Sequence, residues 1–576
     1  MKLRAGLTAV VAAALALACP TVAPAATSNE RIPLPRTISQ ISPELFEVTQ
    51  LDVRPERFST TARQVIRIAN SLPDIQDVRR EHPGVQAVPT LFPLETSVAT
   101  FWIWDIQYKR GDQSFAEAQI GPTGGVIAVN KGIDVGWPLV RGYPGVLGGI
   151  LNRPYLWLPL CLLFIAPFFD PRRPFRLLHL DLLVLLGFGV SQYYFNRGEP
   201  DTSVALVYPV LAYIVVRLLL ATFRPVRRDG PLVPWMGTRL LAVLLVGLVV
   251  LRVAFGIFSS QTLDVSYAGV VGADRVVHGE ELYTDNDVHA DTYGPVNYLA
   301  YVPFESLFPY KPSQTTLPAA KAATLTFDLL VMLALFVLGR RLARDGPRNR
   351  TGLALALAWA AYPYTSLTIA SNTNDALVPL FVLGALLAVT SAPARGVMLG
   401  LATMTKFAPA VVAPALAAGT RRLRLRDALL FSAGFLALSA LVLLPVLPDG
   451  GFREFWNTTL GFQLGRSSPL AIWDRHPSLD WLQTVLKLAL VVLAVAVAFV
   501  PRRRTVPQLA AICGALFALA QMTTNYWIYF YAVWLLPFAM LAFAGEHSDQ
   551  PRDPRARTAS TSAKPGPALS SSGARG

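Results

Sequence analysis

Side chains that could handle a proton and a sugar are concentrated between Asp264 and Pro309. Up to Lys311, this part of the chain has eight carboxylates against only Arg275 and Lys311, although the protein carries a formal net charge of +14. A carboxylate can accept the proton of a hydroxyl group, and Asp, His and Tyr side chains can hydrogen-bond the hydroxyls of a sugar. We therefore predict a sugar-handling site with these substrate-binding residues: Tyr267, Asp274, His278, Tyr283, His289, Asp291 and Tyr293.

The elements that must position these residues are membrane helices. Hydrophobic residues make up 53% of the 576 residues and charged residues 15%, which is too apolar for an ordinary soluble protein. We predict an all-α polytopic membrane protein with about 11–13 transmembrane or re-entrant helices, because many apolar runs reach the ~17–25 residues that cross a bilayer. The runs cover residues 151–169, 177–193, 204–222, 238–258, 319–339, 351–366, 375–390, 427–447, 481–500, 507–522 and 527–544.

The N-terminus has the pattern of an export signal. Lys2 and Arg4 precede an apolar run, and Ala23-Pro24-Ala25 forms a cleavage site, so residues 1–26 are predicted to be a signal peptide. We therefore expect a multi-pass protein of the plasma membrane whose following segment is extracytoplasmic.

Residues 27–145 are predicted to form that extracytoplasmic segment, a small α+β domain. A helical pattern surrounds Thr61–Ser71, and alternating segments at Phe101–Tyr108 and Phe115–Ile120 predict strands. At the other end of the chain, residues 545–576 are rich in Ser, Ala, Pro, Gly and Arg, which predicts a disordered cytoplasmic tail.

The positions of arginine give the orientation of the membrane helices. Placing every basic cluster in the cytoplasm satisfies the positive-inside rule and agrees with an exported N-terminus. The loops 259–318 and 448–480 then lie outside, so the active site is predicted to be extracytoplasmic. The clusters are Arg172-Arg173-Arg176, Arg224-Arg227-Arg228, Arg340-Arg341-Arg344-Arg348-Arg350, Arg421-Arg422-Arg424-Arg426 and Arg502-Arg503-Arg504.

One segment cannot be a simple span. Residues 396–420 lie between Arg395 and Arg421, which both belong on the cytoplasmic side, so we predict two half-length helices that meet near Thr405–Pro409. Non-helical backbone at membrane depth is tolerated only where it lines protein or water. Lys406 is therefore predicted to lie at the bottom of a site.

Several motifs resemble those of the membrane-embedded GT-C glycosyltransferases, most closely the family 87 type. They are Asp264 opening a large external loop, Gly279-x-x-Leu-Tyr283, the run Thr292–Glu305, Ser371–Asp375, Thr405–Pro409 and Gly461–Asp474. The resemblance covers roughly residues 238–544, which would be the catalytic core, with accessory transmembrane helices at 146–237. A shorter segment, Ala116–Val129, somewhat resembles PepSY domains.

The resemblance implies a polyprenyl-phosphate sugar donor, a hexose that is expected to be mannose, and Asp264 as catalytic base. The acceptor would be an envelope glycan, glycolipid or protein, and a single displacement would invert the anomeric carbon. A leaving lipid phosphate requires positive charge, for which Lys406 and Arg466 are the candidates. Membrane lipid is a further expected partner, and nucleic acid is not.

Other residues have both a functional and a structural interpretation. Asn374 and Asp375 could bind substrate or cap a helix, and Trp473 could stack on a sugar or belong to an aromatic belt. Asp328, inside an apolar run, must face the bundle interior or a wet cavity, with Lys321 as one possible partner. A divalent cation is possible at His278 and His289 with nearby Asp residues, although no tight metal-ligand spacing is present.

Two other classes of protein fit parts of the sequence. A secondary transporter could use Asp328, Lys406 and a broken helix, but the sequence has no repeat symmetry and its external loops are long and acidic. A membrane sensor or assembly factor could use the exported domain, but no cytoplasmic output module follows it.

Overall fold

The computed structural model is mostly helical, with a small sheet near the N-terminus. The predicted leader, nearly all of the predicted tail, and the candidates His289, Asp291 and Arg466 lie outside the residues that the structure describes. Those residues are 31–32, 46–95, 100–111, 113–132, 135, 149–197, 199–225, 230–258, 262–283, 292–311, 317–343, 348–465 and 468–547.

The N-terminal region is an α+β unit, as predicted. Two helices, α1 (Ala62–Asn70) and α2 (Pro73–Glu81), pack on a five-stranded antiparallel sheet formed by residues 46–47, 86–95, 100–110, 113–120 and 126–131, in that spatial order. Thr61 begins α1 with a capping box, in which its side chain and that of Gln64 satisfy each other's backbone N–H groups. The strands are β1 (Arg31–Ile32), β2 (Phe46–Glu47), β3 (Arg54–Pro55), β4 (Gln86–Glu95), β5 (Thr100–Arg110), β6 (Gln113–Ile120) and β7 (Val126–Lys131), and β1 pairs with β3.

The strand β4 was not predicted from the sequence. It contains Pro89 and Pro93, which cannot donate to a ladder. It pairs along its whole length with β5, whereas its other side meets only the two residues of β2. An almost open edge tolerates proline.

The rest of the chain forms membrane-type helices. Among the described residues, eight helices are long and apolar enough to cross a membrane, which confirms a polytopic helical protein. The helices are α3 (Pro154–Ile165), α4 (Leu177–Leu186), α5 (Phe188–Phe195), α6 (Pro200–Phe223), α7 (Thr238–Phe258), α8 (Asp264–His278), α9 (Pro295–Leu299), α10 (Val302–Glu305), α11 (Pro318–Leu342), α12 (Arg348–Ala361), α13 (Pro363–Ala370), α14 (Leu377–Leu387), α15 (Ala392–Thr405), α16 (Ala413–Ala418), α17 (Leu425–Leu443), α18 (Gly451–Trp456), α19 (Phe462–Gly465), α20 (Ile472–Arg475), α21 (Asp480–Ala496), α22 (Val506–Thr523) and α23 (Ala532–Glu546).

Short helical turns complete the bundle. A π-helical turn at Asn457–Gly461 joins α18 to α19. The 3₁₀ turns are Gly149–Asn152, Ala408–Val412, Leu444–Val446, Pro477–Leu479 and Tyr529–Tyr531.

The apolar run 351–366 is a broken span. Helices α12 and α13 are bent by 56°, and the break falls at Tyr362, whose backbone is extended in front of Pro363. Proline disfavours a helical conformation in the residue before it. After the break, α13 ends at Ala370 and the segment 371–375 follows it.

The buried Asp328 pairs with a residue that the sequence analysis did not consider. The Arg252 guanidinium of α7 forms an ion pair with this carboxylate at 2.5 Å, and Trp359 Nε1 donates to it at 2.7 Å. The predicted alternative of Lys321 is wrong, because the Lys321 ammonium donates to the carbonyl of Ile257 instead. Asp328 faces the bundle interior and joins α7 and α11 there.

A second buried ion network joins the accessory helices to the core. Arg217 of α6 contacts Asp181 of α4 at 2.9 Å and Glu546 of α23 at 2.6 Å. The hydroxyl of Tyr529, in the turn before α23, lies 2.7 Å from Ser191 Oγ of α5. The apolar side chains of α5 and α6 form one continuous hydrophobic core with those of α22 and α23. The described residues of the segment 146–237 therefore pack as part of the same bundle.

We predict that Asp328→Ala lowers the unfolding free energy by about 3–5 kcal/mol, because it leaves Arg252 buried without its counter-charge. Thermal unfolding of the detergent-purified protein measures the effect. Lys321→Ala is the control and should stay within about 1 kcal/mol of wild type. Equal losses in the two variants would contradict the assigned partner.

Candidate active site

The start of helix α8 is fixed to the segment that joins α13 to α14. Asp264, its first residue, is exposed. The residue before it, Leu263, donates its backbone N–H to the carbonyl of Ser371 at 3.2 Å. The Ser266 hydroxyl donates to the carbonyl of Asn372. These two hydrogen bonds fix the start of α8, which carries Asp264, to residues 371–372.

An ion pair ends that segment. Asp375 Oδ1 lies 2.6 Å from Lys406 Nζ, and the two side chains are only 3% and 11% exposed. Trp534 Nε1 donates to the same carboxylate oxygen at 3.0 Å, and Lys406 Nζ lies 5.4 Å from the centroid of that indole. Buried charges are tolerated when they are paired and hydrogen-bonded, so this arrangement keeps an ammonium group inside the protein.

The alternative interpretation of Asn374 and Asp375 as helix caps is wrong. Helix α14 begins later, at Leu377, and no side chain caps it. Asp375 instead faces Lys406, and Asn374 Nδ2 donates to Asn297 Oδ1 at 2.5 Å. Both side chains therefore connect separate segments of the chain.

Lys406 lies at a break between two helical arms. Helix α15 ends at Thr405, Lys406 has an extended backbone, and the turn Ala408–Val412 leads into α16. Pro409 lies in that turn and has no N–H to continue a helix. The break releases Lys406 from the regular helix at the point where it meets Asp375.

The two arms return to one side, as predicted. The Arg395 guanidinium, near the start of α15, donates to the carbonyls of Leu416 and Ala417 near the end of α16. Because the outer ends of the arms lie together, the hairpin is confirmed and Lys406 is at its turn.

Helix α9 packs directly on this turn. A Cβ atom at Gly294 would lie 2.2 Å from the carbonyl oxygen of Met404, so only glycine permits the approach. The close contact brings Asn297, one turn further on, to Asn374. Three separate motifs thus meet at residues 371–375.

The predicted site residues on α8 do not form one cluster, because they lie at opposite ends of this helix. Asp274 lies ten residues after Asp264, which is about 15 Å of helical rise, and it contacts His278 at 3.3 Å. The pKa of His278 is raised, first by its hydrogen bond to the Asp274 carbonyl and then by the Asp274 carboxylate. Tyr267 lies one turn from Asp264, and its hydroxyl is 2.6 Å from that of Tyr310.

Tyr283 and Tyr293 are joined to each other. The Tyr283 hydroxyl donates to the Tyr293 carbonyl at 3.0 Å, and the buried Tyr283 ring packs edge-on against Tyr298 and Phe455. Tyr283 therefore packs beneath the surface, while Tyr293 is partly exposed next to Gly294.

Trp473 lies against other helices. Its side chain is buried, its Nε1 donates to the Met522 carbonyl at 3.0 Å, and its ring packs edge-on against Tyr208 of α6. These contacts connect the segment 468–475 to α6 and α22. These contacts explain the position of the Trp473 side chain, and a bound ligand is not needed to explain it.

Among the described residues, no group of three or more His, Cys, Asp or Glu side chains is arranged to hold a metal ion. His289, Arg466 and Asp291 lie outside those residues, so their predicted roles are untested.

Sequence reasoning missed Asn297 and Trp534. Asn297 is a polar residue in a short helix that begins with Pro295, inside the run Thr292–Glu305 that was quoted for its family resemblance. Trp534 lies in the apolar part of α23, twelve residues before Glu546, and nothing in the sequence singles it out.

The helical bundle is that of an integral membrane protein. Its polar site consists of a buried ion pair, two buried amide side chains and an exposed carboxylate. Residues 292–524 match the model of Glycosyltransferase family 87. This match confirms the family 87 resemblance, and the helical fold fits the GT-C type, so the protein is a membrane glycosyltransferase. No curated protein matches the chain. The matched region includes Asn297, Asp375 and Lys406, whereas Asp264 and the PepSY-like segment precede it.

We predict that Gly294→Ala lowers sugar transfer by roughly 10- to 100-fold, because the added Cβ would push α9 and Asn297 away from the hairpin turn. Gly247→Ala in α7 is the control, since a Cβ there meets nothing within 4 Å. Wild-type transfer by Gly294→Ala would show that the close contact has no catalytic importance.

Proposed function

We propose that the protein transfers a hexose, with mannose as the expected sugar, from a polyprenyl-phosphate donor to an acceptor of the cell envelope. The observation that carries the proposal is the convergence on residues 371–375 of the start of α8, which carries the exposed Asp264, and the ammonium group of Lys406. The family match supplies the reaction class, and these two groups supply the chemistry.

Asp264 is suited to remove the acceptor proton. Its carboxylate is exposed, and among the described residues it accepts a hydrogen bond from the backbone N–H of Val265 at 2.8 Å. In the proposed step the carboxylate takes the hydroxyl proton while the acceptor oxygen attacks the anomeric carbon. The bond from that carbon to the phosphate oxygen breaks, and the configuration inverts.

Lys406 is suited to the leaving phosphate. An ammonium group has three N–H donors, and the described residues provide Asp375 as its hydrogen-bond acceptor. The remaining donors can meet a phosphate as its charge develops, while Asp375 and the Trp534 ring hold the ammonium in place. Arg466 is proposed as a second cation for the same phosphate.

The arginine clusters support an active site on the outer face. Arg504 donates to the Arg421 carbonyl at 3.1 Å, which brings two clusters together. The cluster that contains Arg176 lies near these two at the end of α23. There Gly545 packs against Pro507, which follows the Arg502–Arg504 cluster, and His547 lies 3.1 Å from Arg176.

The site lies away from these clusters. Trp534, which contacts Asp375, precedes Gly545 by eleven residues in the same helix, or about 16 Å of rise. With the clusters in the cytoplasm, the ion pair lies toward the opposite face of the plasma membrane, where exported envelope acceptors are found.

We predict that Asp264→Asn lowers transfer of labelled mannose from polyprenyl-phosphate mannose by roughly 100-fold or more, because the amide cannot take a proton. The assay uses purified full-length protein with extracted envelope lipids and glycans as acceptors. Near-normal turnover by this variant would show that another group is the base.

Asp480→Asn is the matched control. Asp480 is also the exposed first residue of a helix, α21, so the variant makes the same chemical change at a similar position. It should transfer sugar at the wild-type rate. A loss equal to that of Asp264→Asn would indicate a general effect of surface charge.

A further inference from the structure

Four buried polar side chains near the hairpin turn have atoms without hydrogen-bond partners. Within the described part of the chain, these atoms are Asn297 Nδ2, Asn374 Oδ1, Thr373 Oγ1 and Thr403 Oγ1. Asn297 and Asn374 are fully enclosed, and Thr373 and Thr403 are 1% and 5% exposed. A buried polar atom without a partner destabilises the fold, so four in one region indicate a use that offsets this cost.

The four residues are close to the proposed phosphate site, by position in the sequence or by direct contact. Asn374 and Thr373 directly precede Asp375, and Thr403 is three residues before Lys406 in the last turn of α15. Asn297 reaches them through its 2.5 Å hydrogen bond with Asn374. The neighbouring Tyr301 hydroxyl is paired with Ser266 Oγ at 3.0 Å and also contacts the Asn374 side chain.

The mixture of donors and acceptors among the unpartnered atoms indicates which chemical class of ligand they could bind. An anion needs only donors and a metal cation needs only acceptors, whereas this set has an N–H donor, a carbonyl acceptor and two hydroxyls that can do both. Turning both amides over would exchange the roles of Asn297 and Asn374 but would again leave one donor and one acceptor free. A polyhydroxylated ring matches such a mixed set.

We propose that Asn297, Asn374, Thr373 and Thr403 read the hydroxyl groups of the donor sugar and determine which hexose is transferred. This inference rests on the proposed function. With Lys406 on the phosphate, the same residues would bind the sugar attached to it. Lys406 is partly exposed, and so is Tyr293, which precedes Asn297 by four residues. The four buried polar residues therefore lie just beneath the surface of the site.

The test compares donors that differ at one hydroxyl. Purified full-length protein is assayed with polyprenyl-phosphate mannose and polyprenyl-phosphate glucose, and the ratio of their kcat/KM values is the readout. Asn297→Asp keeps the acceptor for the Asn374 N–H but removes the free donor, and Thr403→Val removes a free hydroxyl at constant shape. Each variant should change the ratio by about tenfold or more, because a site built to hydrogen-bond a hydroxyl discriminates strongly when that bond is missing.

Inhibition by polyprenyl phosphate, which has no sugar, separates sugar reading from other effects. Its inhibition constant should stay within about threefold of wild type in Thr403→Val, because the phosphate contacts are unchanged. Thr222→Val is the matched control for a buried helical threonine, since the Thr222 hydroxyl is already bonded to the Leu218 carbonyl at 2.9 Å. It should leave both readouts unchanged.

The outcomes are distinguishable. If both donors lose activity by the same factor, or the ratio does not change in either variant, the four residues are structural and the inference is overturned while the proposed function stands. If the wild type transfers neither sugar from a polyprenyl phosphate, the proposed function fails and this inference fails with it.

Discussion

The ion pair between Asp375 and Lys406 is the interaction on which the site depends. An ammonium group in an apolar bundle requires a counter-charge, and the counter-charge lies on a different segment, at 2.6 Å. Satisfying Lys406 therefore fixes the hairpin turn against residues 371–375, and the start of α8 and helix α9 are hydrogen-bonded to those same residues. The geometry of the site follows from the need to keep one charge buried.

The same constraint organises the scaffold. Arg252 with Asp328 joins α7 to α11, and Arg217 with Asp181 and Glu546 joins α4, α6 and α23. Two apolar helix faces can pack against each other in several registers, whereas a buried ion pair between them forms in only one register. The members of the other two networks are all buried, so these networks serve alignment. Lys406 is partly exposed, and the described residues give its three donors one acceptor, Asp375, so it can also serve a ligand.

The apolar runs and arginine positions were sufficient to predict the polytopic fold and the hairpin at Lys406, since both depend on local composition. They could not identify long-range partners. Arg252 lies 76 residues from Asp328 and Asn297 lies 77 from Asn374, and helical periodicity has no information about which helices become neighbours. The grouping of Asp274 and His278 with Asp264 followed from closeness in sequence, but a 15-residue helix separates its ends by about 20 Å.

The most direct test of the central claim is a double-mutant cycle on this pair. Transfer kcat/KM is measured for wild type, Asp375→Asn, Lys406→Gln and the double variant, with thermal unfolding as a check on folding. If the pair acts as one unit at the donor phosphate, each single variant loses activity and the double variant is no worse than the poorer single one. Additive losses, or wild-type transfer by Lys406→Gln, would contradict the account.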